Sequence, residues 1–323
     1  MKSPKLILET TIFALLMLSH VCPSIAGMAY ITNQGDNTVS VIDTTTNQVV
    51  STIKVGLKPV GVAVSAINHR AYISNVDGQS VSVIDTQKNK LISTYPIKGS
   101  PVGLLASPDN KTLYVADWTE DRIYLFDAMS MKAQAEIKSG KAPAGMVISP
   151  DGKSLYIANR DSNDIAVINT TTRQISQRIP VGKHPFGLAL NKSGTELYVV
   201  NVFSNSVSII NTTNFKSESI RVGEHPYCVT PSKDGLFLLV TNTQDDSVSI
   251  IELAKKQLIA TIKVGEVPEG ISVDEQSGQI YVANWASNQV SVIDGQTYKL
   301  ITQIKTGDKS RAFGQFILPS IIK

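Results

Sequence analysis

One phrase recurs along the chain, from AYITNQGDNTVSVID at 29–43 and AYISNVDGQSVSVID at 71–85 to LYVADWTEDRIYLFD at 113–127. LYIANRDSNDIAVIN follows at 155–169, LYVVNVFSNSVSIIN at 197–211, LLVTNTQDDSVSIIE at 238–252 and IYVANWASNQVSVID at 280–294, which makes seven copies. Marked by Tyr30, Tyr72, Tyr114, Tyr156, Tyr198, Leu239 and Tyr281, the copies stand 42 residues apart, once 41. A fixed period of this size means a solenoid, propeller or array, and it outranks any local reading.

Residues 145–182 show what one repeat must be. Four β-like segments, MVIS, LYIAN, DIAVIN and QISQRIPV, are separated by Pro-Asp-Gly, Arg-Asp-Ser-Asn and Thr-Thr-Thr. Such short breakers are hairpin connections, so the unit is a four-stranded antiparallel meander. LYIAN is almost continuously apolar, as a middle strand is when both sheet faces are buried. Stacking such sheets radially covers both faces and leaves few exposed edges. The expected fold is therefore all-β, a seven-bladed propeller with four antiparallel strands per blade. The repeats open on a second segment (AYITN) and end on a lone first segment, GQFILP at 314–319. That spare strand is expected to join the N-terminal three and close the ring.

Residues 27–323 are expected to form one propeller domain. Before them, Lys2 and Lys5 precede an apolar stretch, Ile12–Leu18, and Ser24-Ile25-Ala26 offers small residues at a cleavage site. Residues 1–26 thus read as a secretory signal peptide, shorter in its apolar part than the ~20 residues of a spanning helix. The protein is expected to be secreted, periplasmic or at the cell surface, without a membrane span after cleavage. The formal charge of +3 carries no basic block, so a nucleic-acid partner is not expected.

The phrases LYVAN, NTVSVID, TIKVG and P-x-G-V-A-V-S together resemble the YVTN family of β-propeller repeats over about 29–319. The resemblance implies the fold and a surface-layer, secreted or periplasmic setting. Seven-bladed relatives also include haem d1 and copper reductases, lactonases and streptogramin lyases, so fold does not settle function.

The seven copies form an internal alignment. Residues shared by all answer a demand of the ring. Asp43, Asp85, Asp127, Asn169, Asn211, Glu252 and Asp294 end the third segment and read as turn caps. Asn33, Asn75, Asp117, Asn159, Asn201, Asn242 and Asn284 end the second. Function is expected where copies differ on a common backbone, on the loops joining fourth to first and second to third strands. The position after the loop proline reads Val60, Val102, Ala144, Phe186, Tyr227 and Glu269, with Phe313 where the proline is replaced. The second-to-third loops carry Trp118, Arg160, Phe203 and Trp285, and the fourth-to-first loops carry His184 and His225. Two readings stand for this aromatic arc: contact with a partner, or packing between neighbouring loops.

With one cysteine after residue 26, Cys228, no intrachain disulfide is possible there. Three histidines beyond that point, His69, His184 and His225, are too few for a multi-copper cluster, and no Cys-x-x-Cys-His is present. His184 and His225 with Glu224, Glu266 or Glu269 could hold one metal in a lyase-like or lactonase-like site. Cys228 reads as a small buried residue or as a nucleophile beside His225. The leading expectation is a monomeric, non-catalytic binding module without metal or organic cofactor, taking a protein, peptide or glycan on its loop face. A metal-assisted lyase or lactonase and a surface-layer component are the alternatives.

Overall fold

The computed structural model describes residues 27–318, and they form seven antiparallel four-stranded blades. The expected signal segment lies outside the described residues. Blade four runs Pro143–Ile148, Ser154–Asn159, Asp164–Asn169 and Gln174–Pro180, paired in that order from the ring axis outward. Blades two, three, five, six and seven begin at Pro59, Pro101, Pro185, Pro226 and Pro268. The apolar second segments are buried on both faces, as in Ser154–Asn159, whereas Gln174–Pro180 on the rim buries only Ile179. Two one-turn 3-10 helices, Arg160–Ser162 and Val202–Ser204, interrupt the second-to-third loops of blades four and five. Among the described residues no helix is long and apolar enough to cross a membrane.

The innermost strands of blades two to seven each begin with a bulge. Pro143 pairs with Asn159, and pairing resumes only at Met146 with Ile157. The same break follows Pro59, Pro101, Pro185, Pro226 and Pro268. Neighbouring blades approach closely there: a Cβ on Gly145 would lie 2.2 Å from the Phe186 carbonyl oxygen. Only glycine or a locally shifted backbone fits such a contact.

The shared asparagines tie each blade to its own incoming loop. Asn201 is fully buried, donates to the Ser206 and Ser208 hydroxyls at 3.1 and 3.0 Å, and accepts from Gly182 N–H at 3.0 Å. Asn33, Asn75 and Asn242 make the equivalent donations, and Asn284 donates to the Ser291 hydroxyl and the Gln289 carbonyl. Three of the shared tyrosines tie their blade to the next. Tyr30 donates to Asn89 at 3.0 Å and Tyr72 to the Ala128 carbonyl at 2.7 Å. Tyr281 donates to Asn47 at 2.6 Å, which joins blade seven to blade one.

Blade one is assembled from both ends of the described chain. Ile317–Leu318 pairs with Met28 and Ala29, and Tyr30 N–H donates to the Phe316 carbonyl at 2.9 Å. The closing strand sits inside the N-terminal three, as expected, but it is not continuous. Ser310 bridges Asn33, taking the place that Pro59 takes against Asn75. From Ser310 to the partner of Tyr30 the chain takes six steps, against four from Pro59 to Ala63, the partner of Tyr72. The extra length bows out, and Phe313–Gln315 pairs in parallel with the innermost strand of blade two.

Burial pushes the phenols of Tyr30, Tyr72, Tyr114, Tyr156, Tyr198 and Tyr281 above the ordinary tyrosine range. An unfolded tyrosine ionises near its usual value of about 10. The folded protein holds these protons longer, so their stability contribution is complete below pH ~10 and falls as the pH rises past it. In an alkaline titration, tyrosinate absorbance should appear together with loss of the β circular-dichroism signal. The greater part of the tyrosinate absorbance appearing while the β signal stays intact would contradict the burial of these six phenols.

Candidate functional site: the loop face and the channel stopper

The fourth-to-first and second-to-third loops lie side by side on one face. Trp118 N–H donates to the Ser100 carbonyl at 3.2 Å, Val202 N–H to His184 at 3.0 Å and Trp285 N–H to Val267 at 2.9 Å. The residue before the shared proline is left-handed in most blades, with φ +53° at Lys58 and His184, +50° at His225 and +51° at Val267. Its N–H is held by the turn residue of the preceding blade: Asn37 for Lys58, Asn163 for His184, Asn205 for His225 and Asp246 for Val267. Those turn residues are left-handed too, which Asn and Asp tolerate best. The backbone fixes these positions, so their side chains are free to differ.

The variable side chains separate into three groups. The first closes the channel. Val60, Val102, Ala144, Phe186 and Phe313 come from five blades yet share one buried cluster, so they meet at the ring axis. Ring centroids are 4.3 Å apart for Phe186 and Tyr227, and 4.7 Å for Phe186 and Phe313. Trp118 covers the group edge-on at 5.9 Å from Phe186, with the Arg160 guanidinium 5.5 Å above its ring. Phe186 and Phe313 are thus buried beneath the mouth and not displayed on it.

Glu269 and Arg311 stand in the same layer. Arg311 Nε donates to Glu269 Oε2, and its terminal nitrogen donates to the Tyr227 hydroxyl at 2.6 Å. Burial pushes the Glu269 carboxyl upward, and the Arg311 guanidinium holds part of that shift back. Burial opposes the Arg311 charge, but the Glu269 carboxylate raises its pKa overall. Arg311 escapes the sequence reading, which places Phe313 after the replaced proline. Ser310 holds that place, so Arg311 follows it and Phe313 belongs to the bowed segment. The signal was present: Lys309-Ser310-Arg311-Ala312 repeats Lys58-Pro59-Val60-Gly61 in register.

The second group is exposed. Phe203 is 54% exposed, stacked on His184 at 4.2 Å and edge-on to His225 at 5.4 Å. The three rings form a shelf across blades five and six. The Nδ1 atoms of both histidines are buried without a hydrogen-bond partner, and that of His184 stands 4.0 Å from an Asp161 oxygen. Beside Phe203 an open groove of about 720 Å³ is lined by Ser204, Ser206, Ser208, Ser217, Ser219 and Arg221. The third group is Trp285, half-buried, which donates to Gln34 at 3.2 Å and carries the Lys309 ammonium 5.1 Å above its ring. It ties blade seven to blade one and stands apart from the shelf.

Glu269 is committed to Arg311, so the metal set of His184 or His225 with that carboxylate does not assemble. Among the described residues no three His, Cys, Asp or Glu side chains are grouped to hold an ion. Cys228 is buried in the innermost strand of blade six, and burial, reinforced by Glu269, pushes its thiol far up. A neutral thiol is a poor nucleophile, and the small-residue reading fits.

A family model for seven-bladed β-propeller lactonases matches residues 126–225, which include His184, Phe203 and His225. No curated protein matches the sequence. Among solved structures, the chain resembles Kuenenia stuttgartiensis hydrazine synthase at 21% identity and TM-score 0.72, covering 87% of this chain and 99% of that one. A functionally unknown protein from Desulfotomaculum acetoxidans shares 14% identity at TM-score 0.77, covering 90% and 100%. Dihydro-heme d1 dehydrogenase NirN, solved in complex with DHE, shares 12% at TM-score 0.69, covering 88% and 74%. These structural likenesses show the propeller fold.

Two substitutions separate the stopper from the shelf. Phe186→Ala empties a buried ring site and should cost about 3–5 kcal/mol. Phe203→Ala removes an exposed ring and should stay within about 0.5 kcal/mol. Denaturant unfolding measures both, and equal losses would place Phe203 in the packing. Arg311→Ala should cost about 3–5 kcal/mol because it strands the Glu269 carboxylate, while Arg311→Leu with Glu269→Leu should recover much of that. A double variant no more stable than the single would show that the pair's geometry, not the stranded charge, matters.

Proposed function

We propose that this chain is an exported, non-catalytic binding module of the YVTN repeat type, which presents its loop face to a protein, peptide or glycan. The observation that carries the reading is the Phe203 shelf beside its groove. A rigid exposed ring flanked by two imidazoles offers a flat apolar surface to a peptide side chain or a sugar face. The adjoining serines and Arg221 supply donors and acceptors for the polar groups of the same partner. An aromatic anchor with a polar surround is the usual composition of a recognition patch. Residues 1–26, read as a secretory signal, support export.

The test is capture of partners from native envelope or extracellular material on the immobilised protein. Phe203→Ala with Arg221→Ala should reduce specific capture by about ten-fold while leaving the unfolding temperature close to wild type. Undiminished capture by a stable double variant would remove the shelf from the reading.

The lactonase family match over 126–225 supports a second reading, an enzyme acting on a lactone. In that case His184 or His225, which lie on the loop face within the matched stretch, would serve as the proton acceptor. Hydrolysis of a lactone panel by the purified protein, lost in His184→Ala or in His225→Ala, would favour it over the binding module.

A further inference from the structure

The stopper turns the propeller channel into a blind pocket. Below the Phe186, Tyr227 and Phe313 layer a cavity of about 330 Å³ runs along the innermost strands. Its walls continue to Leu190, Gln315 and Glu275, which lie at the ends of those strands away from the loop face. The pocket therefore opens on the face opposite the shelf. Its walls are mainly apolar: Leu104, Met146, Leu188, Val229, Ile271 and Phe313. Several, including Leu188 and Ala189, are only partly buried, so apolar surface faces an unfilled volume. Thr230 and Ser272 place two hydroxyls on the same walls, and Gln315 adds an amide.

Three features give this volume the character of a site. It is closed at one end by buried side chains, so a ligand entering it loses water on most of its surface. It is narrowed on one side by the chain itself, because Phe313–Gln315 lies along the innermost strand of blade two. It is also of useful size: an apolar cavity of ~150 Å³ holds one benzene ring, and this one is roughly twice that. A buried charge without a partner would be costly here, whereas a hydroxyl could reach Thr230 or Ser272.

We propose that this pocket binds one compact apolar molecule of two-ring size with a single uncharged hydrogen-bonding end, entering from the face opposite the loops. The site shares no residue with the aromatic shelf and does not depend on the reading of it. Burial of the rings drives binding, and the hydroxyl-bearing wall orients the polar end.

The probe is 2-naphthol, titrated into the whole purified protein and followed by its fluorescence. Saturable binding of one molecule per chain is expected. Ala189→Phe and Ser272→Phe fill the pocket from two blades, and each should weaken binding by about ten-fold or more. Phe203→Ala should leave it unchanged. Thermal unfolding establishes that at least one filled variant is folded. Absence of saturable binding overturns the proposal. So does binding that survives in a folded filled variant, or binding lost in Phe203→Ala.

Discussion

Everything in this molecule depends on closing the ring. Each blade hides its two apolar faces only against neighbours, so an open row of seven would leave two faces in water. Closure draws on the pairing of Ile317–Leu318 with Met28 and Ala29, the Tyr281 hydroxyl on Asn47, the Trp285 indole on Gln34, the bridge of Ser310 to Asn33 and backbone bonds from Gln34 and Gly35 to Lys309 and Asp308. Cross-links between distant parts of a chain are entropically expensive to form and are then held cooperatively. The closing segment also does more than latch. It carries Arg311 against Glu269 and Tyr227, and Phe313 against Phe186, so the act of closure builds the stopper.

The division between shared and variable residues has a physical basis. A buried Asn that donates twice and accepts from a loop amide is required wherever that loop must be fixed. The left-handed residue before the proline has its backbone fixed in the same way, while its side chain points to nothing the ring needs. Lys58, His184, His225 and Val267 differ for that reason. Variation is therefore permitted on the loop face, and here it has accumulated as rings. Some of those rings went into packing, at the channel mouth and between blades seven and one. The Phe203 ring did not, and it remains 54% exposed.

The fold was legible because it is written seven times. Period, strand pattern and turn residues agree in each copy, and agreement across copies suppresses the ambiguity of any one. The candidate site was legible only in part. Phe203 and the two histidines lie on the loops singled out and form the exposed shelf, whereas Phe186, Tyr227 and Glu269 open innermost strands and Phe313 lies in the bowed segment, where they build the buried stopper. Spacing along a chain gives the blade and the loop of a residue. It does not give the depth to which a ring sinks, which depends on what the opposite blades contribute. Ala144 and Val102 are small, and Phe186 fills the space they leave.

By itself the sequence determined the number of blades, their strand order and the closure by both ends, because those follow from local periodicity repeated to saturation. Tertiary structure alone decided where closure gains its extra residues, and with them the place of Arg311. It also decided that Glu269 is spent on an ion pair and that the channel is blind at the loop face. The reason is convergence: these features arise where seven strands meet on one axis. Their neighbours are about 42 residues apart in the chain or more, beyond the reach of any local pattern.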